Sequence, residues 1–230
     1  MENKATEQSK VALIEIARHL GPLAENVVYI GGAILGFLIT DEAAPSIRST
    51  DDVDLVVEAA TVVDYQKLDA ELIKLGFRND PKRHRCAYLL GSIKVDVLPS
   101  EPLQHGLKGM WLKSALQHYS VYSVKEDIKV KIVQAPYFLA LKLEAFSDRG
   151  KGDFLHKDIE DIISLIDGRS TLIAEVTAQD IPLKSYIGQQ FSMLKTGLLE
   201  YAEGHVGSAE KLRVPMIHKR IEQLASLEIS

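Results

Sequence analysis

The stretch STDDVDLVV, residues 49–57, sets three carboxylates, Asp51, Asp52 and Asp54, ahead of an apolar tail with the composition of a buried strand. Strand side chains alternate between faces. Asp52 and Asp54 therefore project together, while Val53, Leu55 and Val57 project the other way, toward a core. Asp51 falls on the opposite face or in the preceding loop, and its role is unassigned. Two carboxylates two residues apart on one face repel, and a divalent cation reverses that interaction. Hard oxygen donors suit Mg²⁺, with Mn²⁺ as the nearest substitute. The structural alternative for the pair is a solvent-facing strand surface.

Further along, IKVDVL (93–98) carries Ile93, Val95 and Val97 on one face and Asp96 on the other. If this strand neighbours the first, Asp96 completes a triad able to hold two Mg²⁺ ions about 3.5–4 Å apart. Upstream, NVVYI (26–30), then Gly31-Gly32, then AILGFLIT (33–40) read as a strand, a glycine turn and a helix of two turns. Backbone N–H groups at such a turn suit phosphates, although the spacing matches neither a Walker loop nor the dinucleotide fingerprint.

Around these elements, Leu13, Ile16, Ala17 and Leu20 predict a helix over 5–20, stopped by Gly21-Pro22. YQKLDAELIKLGF (65–77) predicts another, with Leu68, Leu72 and Leu75 on one side. CAYLL and IKVDVL, joined by Gly91-Ser92, predict a hairpin, and YSVYSV (119–124) with IKVKIV (128–133) a second strand pair. After Pro136 the pattern is helical over 136–148, 156–167, 181–203 and 215–228, with breaks at Gly150–Gly152, Gly168 and Gly204–Gly207. The expected fold class is α+β: a mixed β-sheet with flanking helices over 1–135, followed by a C-terminal helical bundle over 136–230.

Strand, Gly-Gly, helix, then Arg48-Ser-Thr50-Asp-Asp52-Val-Asp54 and a later strand bearing Asp96 together resemble the nucleotidyltransferase superfamily of the DNA polymerase β type. The Arg-x-Thr-x-Asp-Val-Asp form is similar to its AbiEii-type branch, which includes toxins of type IV toxin–antitoxin systems. LKLEAFSDRGKGDFLHKDIEDIISL (141–165) resembles the second conserved block of such enzymes, with Lys142, Arg149, Lys151, Lys157-Asp158 and Asp161.

The resemblance implies transfer of a nucleoside monophosphate from a nucleoside triphosphate to an acceptor hydroxyl, with release of pyrophosphate. Asp52, Asp54 and Asp96 are then the metal ligands, and Asp96 helps to deprotonate the acceptor. Gly31, Gly32, Arg48 and Thr50 line the nucleotide, and Lys142, Arg149 and Lys151 meet the triphosphate. Asp158 orients those cations or serves as a base. The family's usual Gly-Ser is Gly-Gly here, so backbone donors replace a serine hydroxyl. The implied partners are a tRNA acceptor and an antitoxin protein. The alternatives are a small-molecule (antibiotic) nucleotidyltransferase and a non-catalytic nucleotide-binding regulatory protein.

A net charge of −5 argues against a broad basic surface for coating nucleic acid. The densest basic cluster, Lys82-Arg83-His84-Arg85, is either a contact for an acceptor's phosphates or a charged turn before a strand. His84, His105, His118 and His156 show no ligand spacing, so no zinc site is expected. The single cysteine, Cys86, lies in an apolar run, which points to a buried thiol and a reducing compartment. No apolar run approaches the ~20 residues that span a bilayer, and MENKATEQSK lacks a signal-peptide core. A soluble, cytoplasmic protein is expected.

Overall fold

A computed structural model describes residues 4–101, 109–206 and 208–227; His105 and Gly207 lie outside them. The described residues form seven strands: β1 (Val27–Ile30), β2 (Asp52–Val57), β3 (Arg78–Asn79), β4 (Ala87–Leu90), β5 (Ile93–Pro99), β6 (Tyr119–Lys125) and β7 (Ile128–Val133), with β-branched residues dense in β1, β2, β5 and β7. They make one mixed sheet in the order β3-β4-β5-β2-β1-β7-β6. β2 runs parallel to β5 and β1 parallel to β7; the remaining pairs are antiparallel. The β4–β5 hairpin turns at Gly91, whose φ of 58° only glycine adopts without cost. Both edges are blunted. β3 has two residues, and β6 carries Lys125 and a register irregularity between Ser123 and Lys125.

The chain divides into two units. The first comprises Met1–Gly36 and Arg48–Gln134. Its helices are α1 (Lys4–Leu20), the first half of α2 (Leu35–Leu38), which the division after Gly36 splits, α3 (Val62–Lys74) and α4 (Leu112–Gln117). Leu13, Ile16 and Leu20 of α1 are fully buried, as their spacing requires. α3 starts on a capping box: the Asp64 N–H donates to the Thr61 hydroxyl oxygen, and the Thr61 N–H to the Asp64 carboxylate. The helix expected over 33–40 is instead a 3₁₀ turn, Gly32–Ile34, followed by the single α-turn of α2. Gly32 and Gly36 weaken helix propagation there.

The second unit comprises Phe37–Ile47 and Ala135–Ser230, with helices α5 (Ala135–Ala145), α6 (Lys157–Gly168), α7 (Leu172–Thr177), α8 (Ile181–His205) and α9 (Val214–Ala225). Residues 37–47, expected in the first domain, cluster with these helices for a visible reason. The N–H groups of Thr40 and Asp41 donate to the Gly168 carbonyl at 2.9 and 3.0 Å. Arg169 donates to the Leu38 carbonyl at 2.7 Å. Arg213 bridges Asp41 (2.6 Å) and the buried Asp167 (2.7 Å). α5 stops at Ala145 and continues as a π turn, Phe146–Gly150. A Cβ on Gly150 would stand 2.2 Å from the Phe146 ring. No described helix is long and apolar enough to cross a membrane.

Candidate active site

β2 follows the alternation read from its sequence. Val53, Leu55 and Val57 are buried, and Asp52 and Asp54 stand together on the other face. Its neighbour β5 runs parallel in the register Asp52↔Lys94, Asp54↔Asp96. Residues paired across adjacent strands share a face, so all three predicted carboxylates belong to one side of the sheet. Asp96 is nearly enclosed, at 7% exposure.

Gly31 closes this face from the end of β1. Its φ is 74°, and a Cβ built there would lie 1.8 Å from Oδ2 of Asp54. The glycine is thus required by backbone conformation and by the approach of the Asp54 carboxylate. Gly32 opens the 3₁₀ turn that follows. Arg48 and Thr50 lie in the irregular segment leading into β2.

Three basic side chains stand among the carboxylates. Nη2 of Arg83 lies 2.8 Å from Oδ2 of Asp96 and 3.6 Å from Oδ2 of Asp52. Nε2 of His84 is 3.1 Å from the same Asp96 oxygen. Lys94 Nζ is 3.9 Å from both Asp51 and Asp52. This gives Asp51 a partner, although an exposed pair at that distance contributes little.

The basic run at 82–85 is therefore a turn whose second and third residues face Asp96. Lys94 went unnoticed in the sequence, yet alternation places it on the face of Asp96, two residues away. Cys86 is free and buried, and burial pushes its thiol above the ordinary range, which makes it an inert core residue.

The donors are of the type Mg²⁺ takes, and Oδ1 of Asp96 is buried without a hydrogen-bond partner among the described residues. As placed, however, no three acidic or histidine side chains among the described residues are gathered closely enough to hold one ion. The Arg83 guanidinium, within reach of both Asp52 and Asp96, supplies the countercharge. The residue types and the shared face fit a divalent cation; the side-chain placement is that of the ion-paired state.

The second unit gathers the other predicted residues. Lys142 is buried, with Nζ 3.2 Å from Asp158 and 2.6 Å from Asp161. Arg149 donates to both oxygens of Asp158 at 2.9 Å, through Nε and Nη2. Asp158 is fully buried at the start of α6, its N–H capped by His156. Burial alone would raise its carboxyl, but the Arg149 hydrogen bonds and the Lys142 and Arg149 charges outweigh that and hold it below the ordinary range.

A carboxylate so stabilised anchors the two cations beside it. Arg149 keeps about half of its side chain exposed. Lys151 follows in the left-handed region, φ 49°, unusual for a residue other than glycine. The buried lysine had a signal in the sequence: Lys142 sits inside PYFLALKLEAF, where an apolar surround demands a countercharge.

No protein-family model and no curated protein matches the sequence. Several solved structures match, among them these two. One is an antigenic nucleotidyltransferase-like protein from Paracoccidioides brasiliensis, at 21% identity and a TM-score of 0.51, spanning 84% of this chain and 93% of that one. The other is the antibiotic-resistance factor ANT(2'')-Ia, at 16% identity and a TM-score of 0.47, over 85% of this chain and 98% of that one. The first shows that this chain, a mixed seven-stranded sheet among its described residues with flanking helices and a helical C-terminal part, has a fold like that of a nucleotidyltransferase-like protein.

Proposed function

We propose that this protein is a divalent-metal-dependent nucleotidyltransferase, moving a nucleoside monophosphate from a nucleoside triphosphate to an acceptor hydroxyl with release of pyrophosphate. The observation that carries this reading is the register of β2 against β5. It sets Asp54 opposite Asp96 with Asp52 on the same face, in a fold shared with a nucleotidyltransferase-like protein.

Asp52, Asp54 and Asp96 would hold Mg²⁺, which when bound acidifies the acceptor hydroxyl and neutralises phosphate charge. Asp96 takes the acceptor's proton through the oxygen that is otherwise unpaired. Gly31 leaves the Asp54 carboxylate room at the end of β1, and the backbone of Gly31 and Gly32 faces the phosphates. In the second unit, Lys142 neutralises Asp158 and Asp161, and Asp158 in turn fixes Arg149. On the resemblance of 141–165 to the family's second block, half-exposed Arg149 and exposed Lys151 are the phosphate-binding cations of that unit.

We assign the acceptor to the end of a tRNA, on the AbiEii-type form of Arg48–Asp54, with growth inhibition restrained by an antitoxin protein. The test incubates the protein with each labelled nucleoside triphosphate, Mg²⁺ and total tRNA, beside a parallel set with aminoglycosides and an Asp52→Ala control. Label on tRNA that the substitution abolishes supports the assignment. Label on an aminoglycoside alone moves the acceptor to a small molecule. No label anywhere, or label that survives the substitution, overturns the enzyme.

A further inference from the structure

Arg83 pairs with the carboxylates in an unusual way. A single nitrogen, Nη2, serves both Asp96 and Asp52, while Nη1 of Arg83 and Oδ1 of Asp96 are both buried without hydrogen-bond partners among the described residues. An arginine held at this position by structure alone would take the bidentate arrangement that satisfies both groups. Leaving a buried donor and a buried acceptor without partners costs free energy, so the pairing is one a better partner displaces.

Arg83 also sits in the turn between β3 and β4, tied by its own N–H to the Asp80 carbonyl at 3.2 Å. Its side chain can therefore swing away while the strands keep their register. His84, from the same turn, adds a second contact to the same Asp96 oxygen.

We propose that Arg83, with His84, is a clasp that occupies the carboxylate face until a divalent cation displaces it. The inference rests on the reading of Asp52, Asp54 and Asp96 as metal ligands. The clasp keeps three like charges compensated on one face when no ion is present, and it makes metal binding a competition. A clasp closed nine times in ten lowers the apparent metal affinity about tenfold.

The test needs no nucleotide. Mn²⁺ binding, followed by loss of the free-ion electron paramagnetic signal, is compared in the wild type, Arg83→Met, Arg83→Gln and Arg83→Met with Asp96→Asn. Both single variants are expected to bind about tenfold more tightly, and the double variant to lose that gain. Because a variant can fail to fold, the wild type is also titrated with Mg²⁺ while the Arg83 side-chain nitrogen resonances are observed. They are expected to shift toward those of an unpaired guanidinium.

Equal Mn²⁺ affinity in wild type and single variants, absence of binding in the single variants, or Arg83 resonances unmoved at saturating Mg²⁺ would each overturn the clasp. Equal affinity together with Asp52-dependent nucleotidyl transfer removes the clasp and leaves the enzyme standing. Tighter Mn²⁺ binding without any transfer does the reverse.

Discussion

At the scale of single residues, the carboxylates were readable because alternation in a strand is a geometric necessity. Asp52, Asp54 and Asp96 each lie on the face their neighbours dictate. On the proposed reading, Asp52→Ala and Asp96→Ala are expected to lower nucleotidyl transfer on the order of a thousandfold or more, since losing one of the proposed metal ligands would forfeit several kcal/mol of transition-state stabilisation. Initial rates at saturating nucleotide and Mg²⁺ check this.

Gly31 was legible only as a turn; that it makes room for Asp54 depends on a contact between residues 23 apart in the chain. Gly31→Ala is expected to destabilise the protein by about 1–2 kcal/mol from the left-handed backbone alone. The collision with Asp54 adds to that, and transfer activity should fall with it. Urea unfolding beside the activity assay measures both. Arg83 was the residue least visible in advance, because a basic run beside a turn carries no sign of which carboxylate it will meet.

At the scale of elements, long periodic segments announced themselves and short ones did not. α8 and the β4–β5 hairpin follow from spacing and from Gly91, whereas α4 and α7, six residues each, are too short to show a period. The cap of α3 gives a simple expectation. Thr61→Ala removes the hydroxyl that accepts from Asp64 and should cost about 1 kcal/mol in chemical denaturation.

α6 gives a larger one. Its Asp158 carboxyl is held below the unfolded value of 3.8, chiefly because Arg149 and Lys142 overcome the cost of burial. In the window between the two values the unfolded chain binds more protons. The contribution to stability is therefore complete above about pH 4 and fades as pH falls through the folded pKa. Asp158→Asn should abolish that acid-dependent loss and, by leaving Lys142 under-compensated, destabilise the protein by about 3–5 kcal/mol at neutral pH. Thermal melts of both proteins from pH 7 downward test the sign.

Across the whole molecule, the α+β class was readable because strands fill the first part of the sequence and helices the second. The membership of residues 37–47 was not, since it is decided by Arg213 and by the Gly168 carbonyl, more than a hundred residues away. Arg213→Ala leaves Asp41 and Asp167 without their shared cation. It should lower stability by about 3–5 kcal/mol, the usual consequence of stripping one partner from a buried ion cluster. Protease cleavage within 37–47 should then outpace cleavage elsewhere, a readout that general destabilisation would not single out.

The strand order carries a consequence for biosynthesis. The strands bearing or flanking the aspartates, β1, β2, β4 and β5, have all been synthesised by residue 100, yet β7, the second neighbour of β1, is made some thirty residues later. During that interval Val27–Ile30, all of them buried in the finished sheet, present an open seam of unpaired backbone with apolar side chains. A chain halted at Ser100 would carry the complete carboxylate set and still be expected to self-associate through β1, which sedimentation of that fragment beside the full chain would reveal. The β6–β7 hairpin thus acts as the cover that keeps the newly made carboxylate sheet from pairing through β1 with another chain.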